Sequence, residues 1–213
     1  IHSELVDSVY REWESFFQSE KKHDYLFDPI KQDGYFPTGT ENAKGYPIKD
    51  HKEFYHFYPW GRLPDTLTGA TEELYESLVD MTSTLLEWVE KNTPEEVRSQ
   101  FSEPLKNMIR GSKTNLLRII HYPPFSGKED NRSLRAAAHE DINLITLLVA
   151  GTRPGLEAKD NNGTWHKITT DPGTIIVNIG DMLKEASGGY YPSTTHRVVN
   201  PEKGSNNDSR YSM

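Results

Sequence analysis

The chain has 213 residues, enough for one sizeable core, and a formal net charge of −8 at pH 7. With Lys and Arg spread thinly instead of gathered in a stripe, that acidic balance argues against a nucleic-acid or anionic-membrane surface and favours a small soluble ligand. There is no cysteine, so disulfides, thiolate metal sites and cysteine nucleophiles are excluded, and any metal must be held by His and carboxylates.

From Ser3 to Ser19 the residues Leu5, Val6, Val9, Tyr10, Trp13, Phe16 and Phe17 recur at three- and four-residue steps, which predicts an amphipathic helix with an aromatic face and Ser3 as its cap. Residues 28–64 are rich in Gly, Pro and aromatics without a period and read as loops and short strands, with Tyr55, Phe57, Tyr58 and Trp60 as packing residues. The strongest helix is expected over Thr71 to Lys91, where Leu74, Leu78, Met81, Leu85, Leu86 and Val89 make a stripe and Glu72 and Glu73 give an acidic first turn. Another is expected from Pro94 to about Met108 with Thr93 as its cap.

After Gly111 the pattern changes to short β-rich runs between turn signals: residues 115–122, 136–150, 155–159, 165–169, 174–178, 194–199 and Arg210 onward. Asp160-Asn161-Asn162-Gly163 is a hairpin turn, and residues 181–186 form a helical turn. Helices first and many short strands afterwards predict one α+β domain over residues 1–213, with helical support and loops over 1–111 and a β-sandwich or barrel core over 112–213. No apolar run approaches the ~20 residues that span a bilayer, and no signal-peptide pattern opens the chain, so a cytoplasmic location is expected. No long apolar edge or heptad pattern appears, so a monomer is expected.

The run AAAHEDINLITLLVA, residues 136–150, carries the chemistry. It has the apolar content of a buried strand, yet His139, Glu140 and Asp141 near its start would each cost free energy to bury alone. On a strand, residues two apart share a face. His139 and Asp141 then project together, as two adjacent ligands for a divalent metal, while Glu140 points away. A third ligand from another strand would complete a facial site with open positions, and His196, in STTHRVV, lies in such a late run. Taken alone a His-x-Asp pair is more often a surface or capped pair. Of the other histidines, His2, His23, His51, His56 and His166 read as solvated or structural, and His121 as a core residue.

His139-x-Asp141 followed by LITLL, then PGTIIVNIGDML at 172–183, STTHRVV at 193–199 and Arg210-Tyr211-Ser212 resembles the iron(II)- and 2-oxoglutarate-dependent oxygenases, in the branch that contains isopenicillin N synthase. LRIIHYPP at 117–124 extends the resemblance. It implies a double-stranded β-helix (jelly-roll, cupin-like) core with supporting N-terminal helices. It also implies further segments before Ile1 and after Met213, so the chain is expected to lack N- and C-terminal parts.

By the same resemblance His139, Asp141 and His196 hold Fe(II), with 2-oxoglutarate and O2 as co-substrates. Arg210 and Ser212, two apart on one strand, share a face on which a guanidinium and a hydroxyl can bind the distal carboxylate of 2-oxoglutarate, and Tyr122 matches the family tyrosine that helps to hold it. Two departures are visible: Ile120 stands where many plant members have Asn, and residues 201–208 form an extra polar loop before Arg210. Arg118 either faces the cavity and the substrate, or is a surface arginine or one paired with a helix carboxylate; Asn143 is within reach of substrate, Asn178 lies near a ligand or in a turn, and Arg197 is structural. The implied reaction is oxidative decarboxylation of 2-oxoglutarate to succinate and CO2, coupled to hydroxylation or a related oxidation of a small molecule. The alternatives are an Fe(II) oxidase of the isopenicillin N synthase type that uses no 2-oxoglutarate, and a non-catalytic barrel that binds a small acid or a metal.

Overall fold

The computed structural model describes residues 1–169, 171–202 and 206–213. Helix α1 (Ser3–Gln18) forms where the apolar spacing places it and buries Val9, Trp13, Phe16 and Phe17. Its cap position is His2, with no side-chain bond, so Ser3 opens the helix and does not cap it. A 3₁₀ turn (Glu20–Tyr25) follows. The indole of Trp13 donates to Thr71 Oγ1 at 3.0 Å and ties α1 to helix α2 (Ala70–Lys91), which buries Thr71, Leu74, Leu78 and Leu86.

The single helix expected over residues 94–108 is instead two, α3 (Glu95–Arg98) and α4 (Leu105–Ile109). Pro104 explains the break, because it lacks an N–H and disfavours the helical conformation at Glu103. The freed amide of Leu105 donates to Glu90 Oε2 at 2.7 Å. Thr93 caps nothing ahead of it; its hydroxyl donates back to the Val89 carbonyl at 2.7 Å.

Strands β1 (Gly34–Phe36), β2 (Glu53–Phe57) and β3 (Leu117–Tyr122), with β10 (Arg210–Ser212), form an antiparallel sheet in the order β1-β2-β3-β10. Pleating divides its residues between two cores. Tyr55, Phe57, Leu117 and Ile119 pack against α1 and α2, whereas Tyr122 and Ile120 join Ala136, Leu156 and Val198 on the other side. Tyr58 and Trp60 do not pack in the core as expected. They stack on each other at 4.7 Å, and Trp60 is exposed, its indole donating to the Lys113 carbonyl.

The second sheet runs β4 (Ala136–His139), β9 (His196–Val198), β6 (Leu156–Lys159) and β7 (Trp165–Lys167), and β5 (Ile145–Val149) pairs with β8 (Ile175–Ile179), all antiparallel. Backbone bonds from Val149 to Met213 and from Thr152 to Tyr211 join β5 and its exit to β10. The 160–163 turn closes the β6-β7 hairpin as expected, with Asp160 Oδ1 accepting the Asn162 and Thr164 amides and Gly163 at φ +84°.

The strand expected over residues 136–150 is split in two, because its middle is claimed from elsewhere. Helix α5 (Asp181–Ala186) directs its first amides at the 141–144 loop: Asp181 N–H donates to Asp141 O at 2.7 Å, Met182 N–H to the Ile142 and Asn143 carbonyls at 3.1 Å, and Gly180 N–H to Leu144 O at 3.0 Å. A helix start has amides without intrahelical partners, and here a loop supplies their acceptors. Among the described residues no helix is long and apolar enough to cross a membrane.

Candidate metal centre

His139 is the last residue of β4 and sits in register with His196 on β9. Asp141 lies past the strand end, so the i, i+2 pleat does not bring it to His139 as expected; the loop pinned by α5 does. His139 Nδ1 lies 2.8 Å from the Ala137 carbonyl and His196 Nδ1 lies 3.0 Å from the Thr194 carbonyl. A carbonyl only accepts, so each Nδ1 carries a proton and each Nε2 is the ring nitrogen left to face a metal.

Those Nε2 atoms stand 3.9 Å and 3.8 Å from Asp141 Oδ1, too far for hydrogen bonds. Ligand atoms of the three residues all lie within 4.8 Å of one another. The other carboxylate oxygen, Oδ2, is held by Thr146 Oγ1 at 2.6 Å and Asn178 Nδ2 at 2.9 Å. Thr146 and Asn178 are cross-strand partners on β5 and β8.

Burial would raise the Asp141 pKa, but the nearby His196 and the Thr146 and Asn178 hydrogen bonds outweigh it and hold the carboxyl below its usual value. Burial, with the neighbouring His196 adding to it, lowers His139 and favours the neutral ring. Two imidazole nitrogens and one carboxylate oxygen, each oriented through its residue's other heteroatom, are a donor set that fits Fe(II) and leaves further positions open. Glu140 points away as expected and accepts from Thr195 Oγ1.

The structure brings Arg210, Ser212 and Tyr122 together. Arg210 is 1% exposed, lies across from Tyr122 in the β10-β3 ladder and stacks 5.0 Å above its ring. Its Nη1 donates to Ser212 Oγ at 3.1 Å and its Nε to the Arg153 carbonyl at 3.0 Å. Gly151 permits this, since a Cβ there would fall 2.7 Å from the guanidinium.

Arg118 is no isolated surface arginine. Its Nε donates to His56 Nε2 at 3.1 Å, it lies over the Phe54 ring at 4.8 Å, and Glu41 lies 3.4 Å away. Burial first, then the Arg118 charge, pushes His56 down to about 3, which makes it the neutral acceptor this bond requires. Asn143 donates to Thr146 Oγ1 at 2.8 Å and so extends the chain that holds Asp141. Arg197 is structural as expected, bonding Glu157 at 2.8 Å and stacking on Trp165. Of the polar loop over 201–208, residues 203–205 lie outside the described residues.

Sequence reasoning missed Thr146, Gly180 and Lys52. Lys52 is buried between Glu41 at 2.7 Å and Asp50 at 2.9 Å, just before β2. Thr146 had a signal, a hydroxyl inside an apolar strand; Lys52 had none.

The model of the 2OG-Fe(II) oxygenase superfamily matches residues 113–213. A crystal structure of a candidate oxygenase from Shewanella oneidensis is 50% identical, with TM-score 0.88, over all of this chain and 76% of that one. A full-length Neurospora crassa protein, solved in complex with alpha-KG, which is 2-oxoglutarate, is 27% identical with TM-score 0.78, over all of this chain and 70% of that one. A 2-oxoglutarate-dependent dioxygenase of Monascus ruber is 31% identical over 147 residues, which is 67% of this chain and 41% of the relative. The chain thus spans about two fifths of that relative's length. It belongs to the 2OG-Fe(II) oxygenase superfamily, the class that the two-histidine, one-carboxylate site and the antiparallel sheets beneath a helical layer define.

Proposed function

We propose that the protein is a non-haem Fe(II) oxygenase that couples oxidative decarboxylation of 2-oxoglutarate to hydroxylation or a related oxidation of a small molecule. The observation that carries this reading is the convergence of His139 Nε2, His196 Nε2 and Asp141 Oδ1 with their other heteroatoms tied off. The metal, when bound, supplies the redox chemistry on dioxygen.

The side chains supply position. His139, Asp141 and His196 hold the ion on one face, Arg210 and Ser212 receive the distal carboxylate of 2-oxoglutarate, and Tyr122 forms the floor beneath the guanidinium. Arg118, with Phe54 and His56 around it, faces the substrate, and Asn143 acts through Thr146. The two larger sheets and the β5-β8 pair, bridged by backbone bonds at 149–152 and 211–213, support a double-stranded β-helix core. Residues 1–111 supply mainly its helical cover and 112–213 the catalytic core. The acidic net charge supports a small-molecule substrate in place of nucleic acid, and the reading takes the protein as a cytoplasmic monomer.

Several relatives carry 2-oxoglutarate in their names or as bound ligand, which disfavours an oxidase that works without it. The test is succinate formation from 2-oxoglutarate by the Fe(II)-loaded protein, beside His139→Ala and Asp141→Ala. Both variants are expected to melt as wild type and form no succinate above background; activity in either would remove the ligand assignment.

A further inference from the structure

A second buried arginine, apart from Arg210, is tied to the chain just ahead of β10. Arg135 precedes β4 by one residue and is 3% exposed. Its backbone N–H donates to Asn200 Oδ1 at 3.0 Å and its Nη2 to the Asp208 carbonyl at 2.6 Å. Its Nε is buried with no hydrogen-bond partner. The Asp208 carboxylate turns instead to Arg153 at 3.5 Å, and among the described residues no carboxylate forms an ion pair with Arg135 or Arg210.

Arg135 and Arg210 are near enough to repel. Burial lowers Arg135, and the charge of Arg210 lowers it further, with Tyr122 and the Asp208 carboxylate, which is not hydrogen-bonded to it, acting in the opposite sense. Guanidinium does not deprotonate in proteins, so this corner of the core holds two charges whose hydrogen bonds go only to neutral oxygens. Burying unpaired charge is costly, and breaking even is possible only when a counter-charge arrives. The Asp208 carbonyl that Arg135 holds lies two residues before Arg210, so the same strand approach carries both arginines.

We propose that Arg135 is a second co-substrate residue, whose Nε–H binds the distal carboxylate of 2-oxoglutarate beside Arg210 and Ser212. The inference rests on the reading of this chain as a 2-oxoglutarate oxygenase. It explains why, among the described residues, neither of the two buried arginines has a carboxylate hydrogen-bonded to it. The competing role is purely positional: Arg135 would only hold the Asp208 carbonyl and so steady the approach to β10.

The two roles differ in selectivity. 2-Oxopentanoate has the same keto-acid end as 2-oxoglutarate with a methyl group in place of the distal carboxylate, so Arg135 has nothing to bind on it. Both acids are titrated calorimetrically, without oxygen, into Fe(II)-loaded wild type, Arg135→Gln and Arg135→Lys. Wild type is expected to bind 2-oxoglutarate more tightly, and Arg135→Gln to weaken it by roughly 10- to 100-fold while changing 2-oxopentanoate by less than about twofold.

If both acids weaken together, or neither does, the proposal is overturned. If Arg135→Gln lacks a cooperative melt, Arg135→Lys decides. It keeps a charge and a donor for Asp208 but loses the Nε–H, so a reduced preference for 2-oxoglutarate supports the proposal and a wild-type preference overturns it. Failure of wild type itself to bind 2-oxoglutarate would sink the parent reading, an outcome distinct from any behaviour of the variants.

Discussion

Replacing Thr146 by Val tests whether the hydrogen bonds behind Asp141 set metal affinity. The Thr146 hydroxyl donates to Asp141 Oδ2 at 2.6 Å and is one of two donors there, Asn178 being the other. A hydrogen bond to a charged acceptor contributes about 1.5–3 kcal/mol. Because the Asp141 side chain is 22% exposed, water can replace part of the loss, which selects the lower end. About 1.5 kcal/mol corresponds to roughly tenfold weaker metal binding. Asn143 also loses its acceptor, but it is exposed and water substitutes at little cost.

Adding Asn178→Ala removes the last hydrogen bond that distinguishes Oδ2 from Oδ1, so the carboxylate can rotate freely and the pair should cost roughly 100-fold or more. Anaerobic Fe(II) titration with a parallel thermal melt reads both quantities. The Asp141 pKa, held down in part by the Thr146 bond, should rise, moving the pH range of metal binding upward. A folded Thr146→Val protein whose Fe(II) affinity stays within twofold of wild type would refute the reasoning.

Arg210→Lys keeps the charge but loses the fork shared between Ser212 and Arg153. The 2-oxoglutarate concentration for half-maximal succinate formation should rise about tenfold with Fe(II) affinity unchanged; an unaltered requirement would undo the role of Arg210. Gly180→Ala drives a Cβ into the Asn143 carbonyl oxygen, so the α5-loop contact must open at a cost of about 1–3 kcal/mol. Melting temperature and metal affinity should fall together, and a wild-type melt would show that the loop yields freely. Burial would raise the Glu53 pKa, but hydrogen bonds from His121, Tyr35 and Lys22 outweigh it and lower it overall. Glu53 therefore contributes stability that is present above the ordinary carboxylate value of about 4.3 and is lost as pH falls through that range. Glu53→Gln should flatten the acid limb of stability measured by urea melts between acidic and neutral pH, and an unchanged limb would count against this network.

The His139, Asp141 and His196 cluster, the proposed metal ligands, was legible because its signal is local. A charged His-x-Asp inside an apolar run demands compensation wherever it folds, and His196 sits in a comparable run. The apolar stripes of α1 and α2 were legible for the same reason, since burial imposes a 3.6-residue period on the side chains that carry it. The misreadings share one cause. Residues 136–150 have strand composition throughout, yet the carbonyls at 141–144 are taken by amides about forty residues later, and no period within the segment reports that competition. The break at Pro104 was readable from proline chemistry, but the expectation rested on the start signal at Thr93 and Pro94, which says nothing of where the helix ends.

Arg135 marks the limit more sharply. In the sequence it is an arginine between a polar turn and a strand, the setting in which solvent is the ordinary partner. It becomes buried because the chain returns about seventy residues later, with Asn200 and Asp208 supplying neutral acceptors to its backbone and one end of its guanidinium and none to its Nε. A local pattern can show that a charge will be buried only when the burying residues are its neighbours. Where distant segments bury it, the partners it lacks are as informative as those it has. A buried charged group that has no hydrogen-bonded counter-charge points to the sign of a ligand before the ligand is known, and for Arg135 the sign we propose is negative.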